Sequence, residues 1–229
     1  MLVENTLFGV RDKVQMALDR LREFEPEGGY YLAYSGGKDS TVLLDLARRS
    51  GVKFDAHYNL TTVDPPELVY FIRTQPDVII ESPEKTMWQL IVEKRMPPTR
   101  MVRYCCQELK ERGGGGRRVL TGVRRAESAK RAKRQQVESS YKDEHKRYFH
   151  VIFHWSDEDV WEYIRSRSLP YCSLYDEGFH RGFSSPWLHL LPNGNGKRAN
   201  SRRGTLAEIQ GAVHKDFSED GRQANSRRS

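Results

Sequence analysis

Apolar residues recur every three or four positions from Leu7 to Phe24, which predicts an amphipathic helix within residues 1–26. After this helix, short apolar runs alternate with stretches in which apolar residues recur at helical spacing. The runs predict strands at residues 30–34, 53–60, 77–80, 117–123 and 148–154. Helices are predicted between and after them, around residues 42–47, 66–72, 88–91, 103–112 and 156–164. Alternating strands and helices indicate an α/β fold, with a doubly wound, mostly parallel sheet over residues 27–181.

The C-terminal segment, residues 182–229, has a different composition. It is rich in Gly, Asn, Ser and Arg and has few large apolar residues. Such a segment buries too little apolar surface to offset the entropy of ordering. We therefore expect a disordered, basic tail.

The net charge of +7 is unevenly distributed along the 229 residues. Residues 1–109 carry −2, residues 110–147 carry +8, residues 148–191 carry −3 and residues 192–229 carry +4. The basic run Lys130–Arg134 is interpreted first as a solvated surface; steering of a nucleotide and contact with nucleic-acid phosphates are the alternatives. The distribution favours a phosphate-bearing small molecule over a polynucleotide.

The compartment follows from what the sequence contains. No apolar run approaches the roughly 20 residues of a membrane span, and the first residues lack a signal-peptide pattern. Three cysteines, two of them adjacent, are typical of a reducing environment and do not form a disulfide framework. We expect a soluble, cytoplasmic protein without a membrane partner.

A glycine-rich loop stands between the first predicted buried strand and the helix after it. Its two glycines permit a sharp turn and a close backbone approach to an anion, with the positive end of the helix dipole behind them. The lysine position differs from that of a Walker A loop. A turn with a serine cap is the alternative. The predicted phosphate-binding residues are Ser35, Gly36, Gly37, Lys38, Asp39 and Ser40.

Two further strand ends carry polar residues at the edge where open α/β sheets bind ligands. Thr61, Thr62 and Asp64 follow one strand; Asp64 would hold a ribose hydroxyl or Mg²⁺, or would cap the next helix. Another strand ends at Thr121 and Gly122. Beyond it, the arginine forks and a hydroxyl suit a phosphate or sulfate, although a solvated basic face is the alternative. These residues are Arg124, Arg125 and Ser128.

Five segments in order resemble the phosphoadenosine phosphosulfate (PAPS) reductase family, a branch of the adenine nucleotide α-hydrolase (PP-loop) superfamily. They are the loop Ser35–Ser40, Asn59–Glu67, Cys105–Lys110, Thr121–Ser128, and Trp155–Trp161 with Leu169–Tyr171. The resemblance covers roughly residues 28–181 and is greatest to short, phage-type members. It implies a Rossmann-like, PP-loop nucleotide-binding domain.

The resemblance also implies an activity. The substrate would be ATP, adenylyl sulfate or PAPS, with Mg²⁺ as a possible cofactor, and Lys38, Arg124 and Arg125 as catalytic residues. Three functions stay open. One is sulfonucleotide reduction with a thiol-redox protein as partner, one is ATP-dependent adenylylation for sulfur transfer to nucleic acid, and one is an inactive nucleotide-binding remnant.

The adjacent cysteines Cys105 and Cys106 are unusual as packing residues. In the cluster-bearing relatives such a pair joins a later Cys-x-x-Cys in holding a [4Fe–4S] cluster, which needs four thiolates. This sequence has no cysteine after Cys172, which we expect to be a small buried residue. The pair therefore predicts an incomplete cluster or zinc site.

The family pattern stops at about Gly182, which suggests a shifted reading frame. Read one base later, a permitted codon choice for Trp187–Gly194 encodes Gly-Cys-Thr-Phe-Cys-Pro-Met, and Gly204–Lys215 becomes an amphipathic, family-like helix. The alternative is a divergent, disordered tail. Sequencing the coding DNA tests the hypothesis: we expect Cys-x-x-Cys in the shifted frame, and without it the hypothesis is wrong.

Overall fold

The computed structural model describes residues 1–7, 9–99, 102–141 and 143–177. The predicted tail at 182–229, with the frameshift hypothesis, lies outside them. The strands are β1 (Val3–Thr6), β2 (Gly9–Asp12), β3 (Tyr30–Ala33), β4 (Phe54–Asn59), β5 (Val78–Glu81), β6 (Arg118–Thr121), β7 (Val137–Ser139) and β8 (Arg147–His150). The α-helices are α1 (Lys13–Glu23), α2 (Lys38–Ser50), α3 (Pro66–Arg73), α4 (Met87–Lys94), α5 (Ala129–Ala132) and α6 (Asp157–Ser166). A π-helical turn covers Cys106–Lys110, and 3₁₀ turns cover Arg125–Glu127 and Ser173–Tyr175.

Six strands form one sheet in the order β5-β4-β3-β6-β8-β7, while β1 and β2 form a separate hairpin. All neighbours in the large sheet are parallel except β7, which is antiparallel to β8. From β3 the chain proceeds through β4 and β5 on one side, and through β6 and β8 on the other. A topological switch point therefore lies between β3 and β6, where such sheets bind ligands. The predicted mostly parallel α/β sheet is confirmed.

The main core lies between one face of the sheet and helices α1, α2, α3 and α6. Leu32 and Leu120 of the central strands are fully buried there, as are Leu43 of α2 and Ile72 of α3. A smaller core joins α4 to the π-helical turn through Met87, Leu90 and Leu109. Within the described ranges, every helix is too short or too polar to cross a bilayer.

The segment with four consecutive glycines covers the opposite face of the central strands. Gly114 has a φ of +72° and lies so close to Val119 and Tyr31 that a Cβ would come within 2.7 Å of the valine. A Cβ on Gly113 would come closer still to the hydroxyl oxygen of Tyr31. The glycines are required because the backbone passes directly over a tyrosine ring. This contact fixes the chain between the cysteine pair and β6.

The N-terminal helix begins later than its apolar spacing predicted. Residues 3–12 form the β1–β2 hairpin, in which Leu7 and Val10 are exposed. Asp12 then caps α1, because its side chain accepts hydrogen bonds from the amides of Val14 and Gln15 at 2.8 and 3.0 Å. Helical spacing before Asp12 was therefore coincidental, and the prediction is confirmed only from Lys13 onward.

One other prediction needs correction. The apolar run 148–154 is a strand only as far as His150, and Val151, Ile152 and Phe153 are buried in a turn instead. The basic run Lys130–Arg134 lies at the surface as expected, and it begins within the short helix Ala129–Ala132. Edge strand β7 went unrecognised since it has three residues and only one of them, Val137, is strongly β-forming.

A buried ion pair attaches α1 to the start of α6. Ser156 and Asp159 form the predicted capping box, with the Asp159 amide 3.1 Å from Ser156 Oγ. Asp159 is fully buried and also lies 2.7 Å from Lys13 Nζ. Burial alone would raise the pKa of Asp159, but hydrogen bonds from Lys13 and from the Ser156 amide lower it to about 2.

We predict that Asp159→Asn lowers the free energy of unfolding by about 2 kcal/mol at pH 7, because Lys13 loses a buried partner. The folded-state pKa lies below the unfolded value of about 3.9, so this stabilisation is present above that value and lost as pH falls toward 2. Urea unfolding at pH 7 and near pH 2 measures this stabilisation. Exposed Asp19→Asn is the control; equal losses in both variants would contradict the prediction.

Candidate functional site

The loop Ser35–Ser40 leaves β3 at the switch point and enters α2. Gly36 has a φ of +70°, and Gly37 is the N-cap of α2. Within the described structure, the backbone N–H groups of Gly36, Gly37 and Asp39 have no hydrogen-bond partner. Free amides at the start of a helix, with the positive end of its dipole, form an anion-binding nest. The loop is thus the predicted turn between a strand and a helix, and its role in binding phosphate stays a prediction.

The two serines of the loop hold its ends together. The amide and the hydroxyl of Ser35 donate to Ser40 Oγ at 3.2 and 3.1 Å. Ser40 Oγ donates in turn to the Gly37 carbonyl oxygen at 2.9 Å. Ser40 is buried, whereas Ser35 is exposed. Ser35 is therefore the hydroxyl that faces solvent at the mouth of the nest.

Two cations and two carboxylates form a network behind the loop. Arg124 Nε lies 2.5 Å from Asp39 Oδ1, and Arg124 Nη2 lies 2.8 Å from Asp157 Oδ1. Lys38 Nζ lies 3.0 Å from the same Asp157 oxygen and 3.3 Å from Asp39 Oδ2. Lys38 and Arg124 are both 2% exposed. The network joins the loop to the residues after β6 and to the first turn of α6.

The network contains two cationic and two acidic side chains, and it shifts the pKa values of Arg124 and Asp157. Burial would lower the pKa of Arg124, but Asp39 and Asp157 raise it overall. Burial would raise the pKa of Asp157, but Lys38 and Arg124 lower it. Arg124 Nη1 is buried and has no hydrogen-bond partner in the described structure. One guanidinium nitrogen is therefore available to an oxyanion.

Tyr175 is a site residue that sequence reasoning missed. The Lys38 amide donates to its hydroxyl oxygen at 2.9 Å, across 137 positions of sequence. Burial raises the pKa of Tyr175, and Trp161 packs edge-on against its ring at 5.4 Å. The available indication in the sequence was that this tyrosine follows shortly after the Leu-Pro-Tyr motif. Its oxygen thus satisfies the loop amide between the free amides of Gly37 and Asp39.

The end of β4 carries the second predicted group. Asp64 Oδ2 accepts from the Thr61 amide at 2.8 Å, while the N-cap of α3 is Pro65 without a side-chain cap. The alternative role of Asp64 as a helix cap was therefore wrong. Thr62 has a φ of +64°, and its hydroxyl accepts from the Met87 amide at 3.0 Å. Thr61 Oγ1 is buried without a partner in the described ranges.

The end of β6 contributes packing as well as a polar group. A Cβ on Gly122 would approach the Asp39 carbonyl carbon at 3.0 Å, so glycine lets β6 pass close to the start of α2. Thr121 Oγ1 lies 2.5 Å from His150 Nδ1. Burial and Arg134 lower the pKa of His150 to about 4, so its ring is neutral at pH 7.

Arg125 and Ser128 lie apart from the loop. Both are exposed, and neither forms a hydrogen bond or ion pair with the loop in the described structure. Ser128 Oγ instead accepts from the Arg131 amide at 3.2 Å and caps α5. The Arg125 amide donates to the Phe153 carbonyl oxygen at 2.9 Å. The adjacent arginines therefore diverge, and only Arg124 reaches the loop.

The cysteine pair lies at the start of the π-helical turn, with Cys105 packed against the smaller core. Cys106 Sγ accepts from Arg103 Nη2 at 3.2 Å. A hydrogen bond from Cys105, together with the charge of Arg103, lowers the pKa of Cys106 to about 6, while the pKa of Cys105 is raised. Cys172 is buried as expected.

Further metal ligands were sought around these thiols in the part of the chain that the structure describes. In the described ranges, no group of three or more His, Cys, Asp or Glu side chains is placed to hold a metal ion. The whole sequence contains three cysteines, and one of them, Cys172, is buried elsewhere. The residues present supply two of the four thiolates that a [4Fe–4S] cluster requires.

The family model of the phosphoadenosine phosphosulfate reductase domain matches residues 29–182. The chain belongs to this family. It is similar to the adenosine 5′-phosphosulfate reductase of Geobacillus thermodenitrificans, which is 30% identical over 77% of this chain and 81% of the relative. The enzyme of the same name from Oceanobacillus iheyensis is 27% identical over 76% and 77%. The resemblance carried by the five motifs is confirmed.

Solved structures agree with the fold of this PAPS reductase-family chain. The PAPS reductase of Candida auris, solved as a phosphate complex, superposes with a TM-score of 0.54 at 18% identity, over 72% of this chain and 84% of that one. The FMN adenylyltransferase of Candida glabrata, solved with FAD and inorganic pyrophosphate, gives 0.51 at 14% identity, over 73% and 60%. At these identities the likeness concerns the fold.

The two loop glycines should respond differently to alanine. In Gly36→Ala the new Cβ would be strained by the positive φ and would lie 2.6 Å from Leu68 Cδ1, so we expect a loss of about 2 kcal/mol in stability. Gly37 has a φ of −78°, and its nearest neighbour would be the Tyr175 hydroxyl at 3.3 Å. Gly37→Ala should stay within about 1 kcal/mol of wild type and weaken nucleotide binding. Chemical unfolding measures the stability of both variants. Equal losses of stability would contradict the different roles assigned to the two glycines.

Proposed function

We propose that the loop binds the phosphates of an adenylyl nucleotide carrying a sulfate, either adenylyl sulfate or PAPS, and that the protein acts on that sulfate. Membership of the PAPS reductase domain family supports a sulfonucleotide-related function. The observation that carries the proposal is the set of free amides at Gly36, Gly37 and Asp39, with buried Lys38 and Arg124 behind them.

The binding roles follow from the contacts. A phosphate oxygen would replace the Tyr175 hydroxyl at the Lys38 amide and would accept from the neighbouring free amides. Arg124 Nη1 would supply a charge-assisted donor, since its other contacts already hold it in place. Lys38 and Arg124 would then stabilise the negative charge that develops on the departing nucleoside phosphate. Thr61 and Thr121 line the same edge of the sheet.

Reduction of the sulfate needs two electrons from a dithiol partner. One thiolate attacks the sulfur and the S–O bond to the nucleoside phosphate breaks, so that the nucleotide leaves with that oxygen. A second thiol then attacks the S-sulfo thiol, which releases sulfite and closes a disulfide. We assign this dithiol to a thiol-redox protein, because each turnover converts two thiols into a disulfide that must leave before the next.

Cleavage of ATP between its α and β phosphates, with sulfur transfer to nucleic acid, is the second candidate. The +8 charge of residues 110–147 favours it. Part of that charge is already paired with carboxylates from outside the segment, since Arg117 contacts Asp55 and Arg124 contacts both Asp39 and Asp157. The remaining charge gives this candidate less support than the loop gives the first.

A nucleotide panel separates these reactions. ATP, adenylyl sulfate and PAPS are each incubated with the protein and a dithiol, and sulfite and pyrophosphate are measured. We expect sulfite from one of the sulfonucleotides and no pyrophosphate from ATP. If pyrophosphate is released and no sulfite forms, the proposal is wrong and the second candidate is supported. Binding without either product would identify a nucleotide-binding remnant.

A matched pair of hydroxyl deletions ties the activity to the loop. Ser35→Ala removes the exposed hydroxyl at the nest and should weaken sulfonucleotide binding about fivefold. Ser50→Ala removes a hydroxyl at the other end of the same helix, where it donates to the Ala47 carbonyl oxygen at 2.8 Å. It should leave the affinity unchanged. If both variants bind the sulfonucleotide as tightly as the wild type, this loop is not the phosphate site.

A further inference from the structure

A second concave surface lies between the N-terminal hairpin, α1 and the turn after β8. It is a small cleft, open to solvent. The residues that line it are Arg11, Lys13, Met16, Ala17, Arg20, Val151, His154 and Trp155. None of these belongs to the loop or to the network behind it.

Three of the eight side chains that line this cleft are cationic. Lys13 is neutralised there by Glu4 and Asp159, at 2.5 and 2.7 Å from its Nζ. By contrast, the guanidinium groups of Arg11 and Arg20 form no ion pair or hydrogen bond within the described ranges. Such unpaired charges along one cleft repel each other in the absence of an anion.

Arg125 adds a third guanidinium beside the cleft. Its amide is bonded to the Phe153 carbonyl oxygen, next to His154, and its side chain is exposed without an ion pair in the described structure. The pKa of His154 is lowered by burial and then by the charges of Arg125, Arg20 and Arg11. The carboxylates of the surrounding elements are engaged elsewhere: Glu4 and Asp159 with Lys13, and Asp12 with the first amides of α1.

We propose that this cleft binds a tetrahedral oxyanion, a phosphate or sulfate group, held by Arg11, Arg20 and Arg125 with His154 beside it. Guanidinium forks donate pairs of hydrogen bonds to such anions, and a cleft open to solvent leaves these groups accessible. Nothing in this inference depends on the nucleotide bound at the loop.

The oxyanion has two possible sources. It is either a free inorganic anion or a phosphate or sulfate of a larger ligand that also occupies the loop.

The imidazole of His154 reports occupancy directly. In the free protein its pKa lies below the ordinary value, and a bound anion stabilises the imidazolium and raises it. Its ring proton resonances are titrated against pH by NMR, with and without sodium sulfate, and sodium chloride at matched ionic strength controls for screening. His154→Gln assigns the resonance among the seven histidines. We expect a saturable rise with sulfate only; equal rises in both salts would overturn the proposal.

Matched arginine variants locate the anion. Arg20→Gln should raise the sulfate concentration at half-saturation about tenfold, the loss of one charge-assisted contact. Arg22→Gln is the control, since Arg22 lies on the same helix and pairs with Asp19 at 3.3 Å. Circular dichroism verifies that both variants fold. If the control loses as much affinity as Arg20→Gln, the proposal is wrong.

The source is determined in the same experiment with adenylyl sulfate. If the nucleotide raises the His154 pKa and sulfate competes with it, one of its anionic groups occupies the cleft. If sulfate raises this pKa and the nucleotide changes neither it nor the sulfate response, the cleft takes a free anion. Both outcomes support an oxyanion site, and a cleft insensitive to sulfate and nucleotide overturns it. Sulfite release is measured separately, so a failure here leaves the proposed reaction untouched.

Discussion

The buried network of Lys38, Asp39, Arg124 and Asp157 is the constraint on which the site depends. Two cations that are almost completely buried would be unstable alone, and each is stabilised by the same two carboxylates. Removing one partner from such an arrangement costs about 3 kcal/mol or more. The network thereby fixes three otherwise separate pieces of chain against one another: the phosphate loop, the segment after β6 and the start of α6.

This arrangement explains how the site holds cations ready without a ligand. The carboxylates hold the side chains of Lys38 and Arg124 in place, while the free amides of the loop and Arg124 Nη1 have no partner in the described structure. An arriving oxyanion therefore meets donors that are already in position, which is the physical basis of electrostatic preorganisation. Tyr175 completes the arrangement by satisfying the Lys38 amide from the far end of the described chain.

Local patterns gave much of this structure, and long-range contacts account for the rest. The loop, the Ser156–Asp159 capping box and the parallel sheet follow from short sequence features, and the structure confirms their geometry. Asp157 and Tyr175 went unrecognised as site residues because they meet Lys38 across more than a hundred positions. The divergence of Arg124 and Arg125 was equally hidden, since adjacent residues of one type carry no indication of which side each will face. The hairpin before α1 was missed because two exposed apolar residues imitated a helical period.

The central claim is that the loop amides receive the phosphates of the nucleotide, and amide NMR tests it most directly. Isotope-labelled protein is titrated with adenylyl sulfate while the amide resonances of Gly36, Gly37, Lys38 and Asp39 are followed. The account predicts that these four amide protons move downfield together, with one saturation curve, because each gains or exchanges a phosphate acceptor. Saturable binding that leaves all four resonances unmoved would contradict it.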